Sequence, residues 1–243
     1  MRFFEGQGVI AFISDKEMDF TPTDFDAPLT AEQSGYLKKE CGLDVSHVFW
    51  RKQIHGDDIL VAKESSQGCS DADAYITNQK NLPLAIRTAD CVPVFLFDSI
   101  KRAIGVVHAG WKGTYKDITY KTVMRMKEVF GSKTEDIQAV LGPSIQPCCY
   151  EVGEEFRQYF PNEMVEGEGY PRPRTPEQRE GSERSGKLYV DVTKNNYKQL
   201  LKAGLKKENI LSTGICTCCN PRYFSFRRDA DKAGRMISLI VLT

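Results

Sequence analysis

Three residues of types that bind transition metals occupy comparable places in this chain. His55 follows Gln53-Ile54 and precedes Gly56, Cys91 sits within Thr88-Ala89-Asp90-Cys91-Val92-Pro93, and His108 ends an apolar run before Ala109-Gly110-Trp111. Each lies at the end of a strand-like stretch or at the junction between two. Two imidazoles and a thiolate suit zinc, and three protein ligands leave a coordination position for water or substrate. The intervals are far longer than those of zinc fingers, so spacing alone favours packed or solvated side chains over ligands.

Other residues offer competing chemistry. Cys216, Cys218 and Cys219, with Cys148 and Cys149, could make a closed, thiolate-rich structural site. Against this, successive cysteines of Cys-Thr-Cys-Cys and the adjacent Cys148-Cys149 lack the two-residue gap with which a cysteine pair grips one ion, and buried or surface thiols are the plainer reading. Phe224-Ser225-Phe226-Arg227-Arg228-Asp229 gathers aromatic and guanidinium groups that could hold phosphate or carboxylate, with strand-like alternation sending Arg227 and Arg228 to opposite faces, and by composition alone an Arg–Asp surface pair is the plainer reading. Gly142-Pro143-Ser144-Ile145 and Tyr150-Glu151-Val152-Gly153 resemble a tight turn opening a helix, an anion site in one reading and a chain reversal in the other.

The elements that must position these groups are strands in the first half of the chain. Apolar runs predict strands at Val9–Ile13, His47–Ile54, Ile59–Ala62, Leu82–Arg87, Val92–Phe97 and Ala103–His108. Thr30-Ala-Glu-Gln33 is a capping-box pattern opening a helix that runs to Gly42, and a second helix is expected around Lys116–Phe130, with Ile118, Thr122, Met126, Val129 and Phe130 on one face. Further on, Leu188–Val192 predicts a strand, Thr193–Ala203 a helix ended by Gly204, and Ile210–Thr213 and Met236–Leu242 two more strands. Residues 161–187 are rich in Glu, Gly, Pro, Arg and Ser, which predicts a long polar surface loop.

With 33 basic and 33 acidic residues among 243, the formal charge is zero, so nothing recommends a nucleic-acid partner or an anionic membrane. The apolar run Val9–Ile13 is too short for a signal-peptide core or a membrane span, so a cytoplasmic location is expected. Eight cysteines in such a setting point to thiols, metal ligation or catalysis rather than disulfides. Length and the absence of repeats favour one continuous domain over residues 1–243.

Taken in order, Gln53-Ile54-His55-Gly56, Thr88-Ala89-Asp90-Cys91-Val92-Pro93, His108-Ala109-Gly110-Trp111-Lys112-Gly113, Gly142-Pro143-Ser144-Ile145 and Phe224-Ser225-Phe226-Arg227-Arg228-Asp229 resemble the laccase-domain family. That family takes its name from polyphenol oxidoreductase laccase, and its members are also described as zinc-dependent purine nucleoside phosphorylases and peptidoglycan editing factors. The resemblance covers nearly the whole chain. It implies an α/β (α+β) fold of layered, mixed β-sheets flanked by helices, with the family's zinc ligands on His55, Cys91 and His108. It also implies phosphorolysis of adenosine, inosine and methylthioadenosine, with some adenosine deamination. The thiols at Cys218 and Cys219 and the long polar loop depart from the family pattern and leave substrate preference open.

In such a reaction phosphate displaces the purine from the ribose, so orientation and electrostatics dominate. The candidates are Arg228 or Lys112 for phosphate, and Asp90 or Gln53 for sugar or base. Asp90 is also the candidate proton shuttle for deamination, and alternatively a turn residue that bonds backbone amides. One zinc per chain is expected, with Cu²⁺ a competitor because copper outranks zinc at nitrogen and sulfur sites. A four-copper laccase needs mostly imidazole ligands, and the chain has three histidines. The remaining alternatives are a peptidoglycan-precursor hydrolase and a non-enzymatic zinc-binding protein. The expected partners are a nucleoside and phosphate, with the chain a monomer or homodimer.

Overall fold

The computed structural model describes residues 1–22, 28–63, 71–162, 164–166 and 187–243. Strands β1 (Arg2–Phe3) and β2 (Val9–Ile13) come first, then helix α1 (Ala31–Cys41), and then β3 (Ile59–Val61), β4 (Ala74–Thr77), β5 (Leu84–Thr88), β6 (Val92–Asp98) and β7 (Ala103–Ala109). Helices α2 (Trp111–Tyr115) and α3 (Ile118–Phe130) follow, with β8 (Ile137–Leu141), β9 (Glu151–Val152), β10 (Met164–Glu166) and β11 (Leu188–Val190) after them. The chain continues through α4 (Val192–Ala203), β12 (Ile210–Ser212), α5 (Phe226–Asp229) and β13 (Met236–Leu242).

These strands form a six-stranded mixed sheet in the order β12-β8-β6-β7-β4-β3, a four-stranded antiparallel sheet β1-β2-β13-β5, and a small antiparallel sheet β10-β11-β9. Both large sheets are covered on both faces, which is why their strands read as unbroken apolar runs. In β6, Val92, Val94 and Leu96 face α3 and α4, meeting Ile118, Val123, Met126 and Leu200. Phe95 and Phe97 face the opposite way, into a core shared with Val9, Ala11, Ile13 and Ile240 of the four-stranded sheet. In β13, Ile240 and Leu242 join that central core while Ile237, Leu239 and Val241 pack with Leu37 and Cys41 of α1. Side chains alternate along a strand, so one run supplies two cores and fixes a helix, sheet, sheet, helix layering. This is the expected arrangement of layered mixed sheets flanked by helices.

Several expected elements keep their bounds for local reasons. Thr30 caps α1 as a capping box, with its hydroxyl accepting from Gln33 N at 3.1 Å and its own N–H donating to Gln33 Oε1 at 3.0 Å. Others differ. The helix expected over Lys116–Phe130 forms as α3 but begins two residues later, because Asp117 adopts a left-handed conformation that separates it from α2. Of its expected apolar face, Val129 is exposed. The stretch His47–Ile54 is not a strand, and only Phe49 forms an isolated bridge, to Leu84. Its backbone is held by side chains instead: Arg51 N donates to Tyr75 Oη, and Ile54 N donates to the Asp73 carboxylate. Of the polar stretch 161–187, Met164–Glu166 is a strand paired with β11, and most of the remainder lies outside the described residues.

Candidate metal centre

His55, Cys91 and His108 converge, with their ligating atoms all within 4.8 Å of one another. Each arrives from a different local structure. His108 is carried on β7 and is buried. Cys91 immediately precedes β6, which pairs with β7 so that Val92 faces Ala109. His55 sits in the loop before β3 with a positive φ of 58°, and that strained turn aims its exposed ring back towards His108, their ring centroids 4.8 Å apart.

Asp73, just before β4, organises the centre, and its role was not apparent from sequence. It is fully buried and its Oδ1 lies 2.7 Å from His108 Nδ1. The same carboxylate accepts from the backbone N–H groups of Ile54, His55 and Gly56 at 2.8–3.1 Å. One side chain therefore orients one imidazole and shapes the turn that presents the other, as carboxylates behind metal-binding histidines do. With Nδ1 committed to Asp73, the ring of His108 offers Nε2 to an ion. An acidic residue before an apolar run was the only signal, and Asp57, Asp58 and Asp71 share it.

The electrostatics suit a metal. Burial would raise the Cys91 thiol, but the His108 charge and hydrogen bonds from His108 and His55 outweigh it and hold the thiol at about 6. Burial would lower His108, and the Cys91 thiolate and the Asp73 carboxylate together lift it to about 9. Asp73, despite its burial, is held below the usual carboxylate range by His108 and by the amides of Gly56 and Ile54. Cys91 and His108 thus pair as thiolate and imidazolium, and a divalent ion of the zinc type would take both as ligands by displacing the imidazolium proton. Gly110 makes the convergence sterically feasible: a Cβ there would lie 2.9 Å from His55 Cδ2 and 3.2 Å from Cys91 Sγ.

The three residues line a cavity of about 830 Å³, a size suited to a small organic ligand. Its wall carries Arg87, Arg227 and Arg235 with Asp90, and the aromatic side chains of Trp111, Tyr150 and Phe226. Arg87 lies over the Trp50 ring at 4.4 Å, and burial, aided by the charge of Arg235, lowers it to about 10, so it stays cationic at neutral pH. Arg227 lies over the ring of Tyr150 at 5.3 Å.

The other expected site residues are distributed unevenly. Asp90 lines the cavity with φ at 90°, its Oδ1 accepting from Thr217 Oγ1 and its Oδ2 from Arg227 N, both at 2.6 Å. Gln53 also reaches the cavity, but its amide closes on the backbone of Arg87, accepting from N and donating to O at 2.8 Å each. Lys112 is exposed, lies over Trp111 at 5.6 Å and is not part of the cavity wall. Arg228 is not part of it either. Its guanidinium donates to the carbonyls of Thr217, Cys218, Asn220 and Tyr223 and pairs with Asp229 at 2.7 Å. The expected strand alternation at Arg227 and Arg228 fails because Phe226–Asp229 is a helical turn capped by Ser225, and Arg227 is the one that faces the cavity. Of the two readings of Tyr150–Gly153, anion site or chain reversal, the reversal fits: a 3-10 turn, Glu154–Gln158, follows, and Glu154 and Glu155 occupy its start.

Among the described residues no helix is long and apolar enough to cross a membrane. The chain is 37% identical over 190 residues to a purine nucleoside phosphorylase of Aquifex aeolicus, covering 78% of this chain and 81% of that one. It is 39% identical over 202 residues to a purine nucleoside phosphorylase of Clostridium acetobutylicum, covering 82% and 78%. Among solved structures, YlmD of Geobacillus stearothermophilus superposes with a TM-score of 0.77 at 26% identity, covering 97% of this chain and 92% of that one. The hypothetical protein YfiH of Bacillus licheniformis superposes with a TM-score of 0.76 at 27% identity, covering 98% and 94%. Residues 16–243 match the family described as multi-copper polyphenol oxidoreductase laccase, and the chain belongs to that family.

Proposed function

We propose that this chain is a zinc-dependent purine nucleoside phosphorylase acting on adenosine, inosine and methylthioadenosine, with adenosine deamination as a side activity. One observation carries the reading: three metal-type ligands converge on a cavity whose wall is cationic at Arg87, Arg227 and Arg235 and aromatic at Trp111, Tyr150 and Phe226. That wall suits a phosphate and a purine together, and the relatives from Aquifex aeolicus and Clostridium acetobutylicum bear the corresponding name.

His55, Cys91 and His108 would hold one zinc ion. When bound, the ion supplies a Lewis-acid position for an oxygen ligand. In phosphorolysis, a phosphate oxygen bonds to the anomeric carbon as the bond to the purine nitrogen breaks, and the electron pair leaves with the base, which takes up a proton. Arg227 and Arg235 hold the phosphate, and Arg87 adds positive charge deeper in the wall. The aromatic faces stack the base. Asp90 keeps acceptor capacity on both oxygens despite its two bonds, and is assigned the sugar hydroxyl in phosphorolysis and the proton transfer in deamination. Gln53 acts through Arg87 by fixing its backbone. The described cysteines stand outside disulfides, which fits a reducing compartment, the cytoplasm.

Multi-copper oxidase chemistry is poorly served by these ligands. Only two of the three histidines reach the centre, while His47 is exposed and bonds Ser46. Zinc-loaded protein incubated with adenosine, inosine and methylthioadenosine, with and without phosphate, tests the proposal. Phosphate-dependent release of free base with ribose 1-phosphate is expected, and phosphate-independent conversion of adenosine to inosine marks deamination. Release of neither base nor ammonia overturns the reading.

A further inference from the structure

Cys148, Cys149, Cys216 and Cys219 form a second cluster away from the cavity, their sulfurs all within 4.8 Å of one another. Cys149 Sγ and Cys219 Sγ are 3.3 Å apart, and Cys148 Sγ and Cys219 Sγ 3.6 Å. Those separations are far too long for disulfides and close to the edge of about 3.8 Å expected for a tetrahedron of sulfurs about 2.3 Å from one zinc ion. We infer that these four cysteines bind a second divalent metal ion, zinc, in a closed all-thiolate site distinct from the one on His55, Cys91 and His108.

Local geometry removes the objection to adjacent ligands. Successive side chains diverge on a strand, but Cys148 and Cys149 lie in a turn closed by Cys149 N and Tyr150 N, both donating to Gln146 O. Cys216 and Cys219 flank a second turn, closed by Asn220 N donating to Cys216 O at 3.0 Å. A short parallel ladder clips the two turns together: Ser144 N donates to Ile215 O, and Thr217 N donates to Ser144 O, each at 3.1 Å. The pairs therefore face each other across a fixed gap. Cys148 and Cys149 are buried, and Ile145 and Tyr150 pack around the sulfurs. Cys218, the fifth thiol nearby, is outside the four.

Four thiolates with no open position select a soft, tetrahedral ion and leave no room for substrate, so the site acts as a staple. What it staples is one wall of the cavity. Ile145 and Tyr150 lie on that wall, Ile145 N donates to Asp90 O at 2.9 Å, and Thr217, between the cysteines of the second turn, bonds the Asp90 carboxylate.

Metal content and coordination test this directly. Protein produced with zinc in the medium and kept reduced should contain about two zinc ions per chain by elemental analysis. C91A should retain about half of that, and the zinc X-ray absorption of C91A should show sulfur alone at about 2.3 Å. The double variant Cys149→Ser, Cys216→Ser should also lose half the zinc, with histidine nitrogen dominating what remains. Iodoacetamide should label Cys148, Cys149, Cys216 and Cys219 at least tenfold more slowly in native protein than after zinc is removed. The inference is overturned if C91A holds no zinc above background, if its zinc shell contains nitrogen, or if the four thiols alkylate equally fast with and without zinc. Should the double variant not fold, the spectrum of C91A decides alone. Absence of phosphorolysis with a zinc content of two would count against the proposed function and leave this site standing.

Discussion

The centre on His55, Cys91 and His108 opens onto a cavity of about 830 Å³, whereas Cys148, Cys149, Cys216 and Cys219 close on one another beneath Ile145 and Tyr150. Both clusters draw ligands from turns beside strand ends, and the first adds His108 from β7 itself. They differ in what stands opposite the ligands. At the first, Gly110 withholds a side chain and the space continues to the arginines; at the second, a facing turn supplies two more sulfurs. Coordination number is thus decided by the neighbouring backbone, and with it whether a metal does chemistry or holds the chain together. The support differs too. Asp73 orients His108 and the His55 turn from behind, while the thiolate cluster is braced by main-chain hydrogen bonds and by Arg228.

The sharpest way to break this contrast is Cys91→Ala. Phosphorolysis should fall about a thousandfold or more while circular dichroism is retained, because an open site contributes chemistry more than folding energy. Unfolding of C91A would make the first centre structural and erase the distinction. Chelation gives the complementary result: a chelator strong enough to strip both sites should lower the melting temperature of wild type and C91A by similar amounts, and a drop confined to wild type would assign the staple to the wrong cluster.

A smaller effect is expected from Asp73→Asn, which should weaken zinc binding about 10- to 100-fold in competition with a chromophoric chelator. Unchanged affinity would mean that the His55 turn and His108 are held by other groups. Smaller again is Gly110→Ala. The added methyl presses on His55 and Cys91, and the expected loss is about tenfold in zinc affinity with little change in melting temperature. The smallest effect should come from the adjacent arginines. Arg227→Ala should raise the KM for phosphate about tenfold and spare deamination, whereas Arg228→Ala should cost roughly 2 kcal/mol of stability and leave the KM for phosphate unchanged. The reverse pattern would return phosphate binding to Arg228.

Legibility from sequence varied with how local the cause was. The bounds of α1 and of β13 follow from a capping box and a Gly in one case and from an apolar run in the other. His47–Ile54 has the composition of a strand and is not one, since the side chains of Tyr75 and Asp73 satisfy its backbone through contacts that no local pattern records. Arg228 looked like an anion grip because its residue type permits it. The structure turns it onto four carbonyls, since Ser225 starts a helical turn where alternation suggested a strand. Spacing between successive cysteines argued against a thiolate cluster, but Cys216 and Cys219 skip Cys218 and so leave a two-residue gap, and only the adjacent Cys148 and Cys149 depend on a turn to converge. Here two segments supply half each.

The sequence by itself determined residue chemistry and strand periodicity: which side chains bind soft metals, and which alternating runs bury both faces and so build stacked sheets. The tertiary structure decided proximity and orientation. His55 and His108 become neighbours because Asp73 binds the turn of one and the ring of the other, and four cysteines meet because a backbone ladder clips two distant turns together. Hydrogen bonds and packing between segments far apart in the chain have no period and no fixed spacing, so they enter only when the chain is folded.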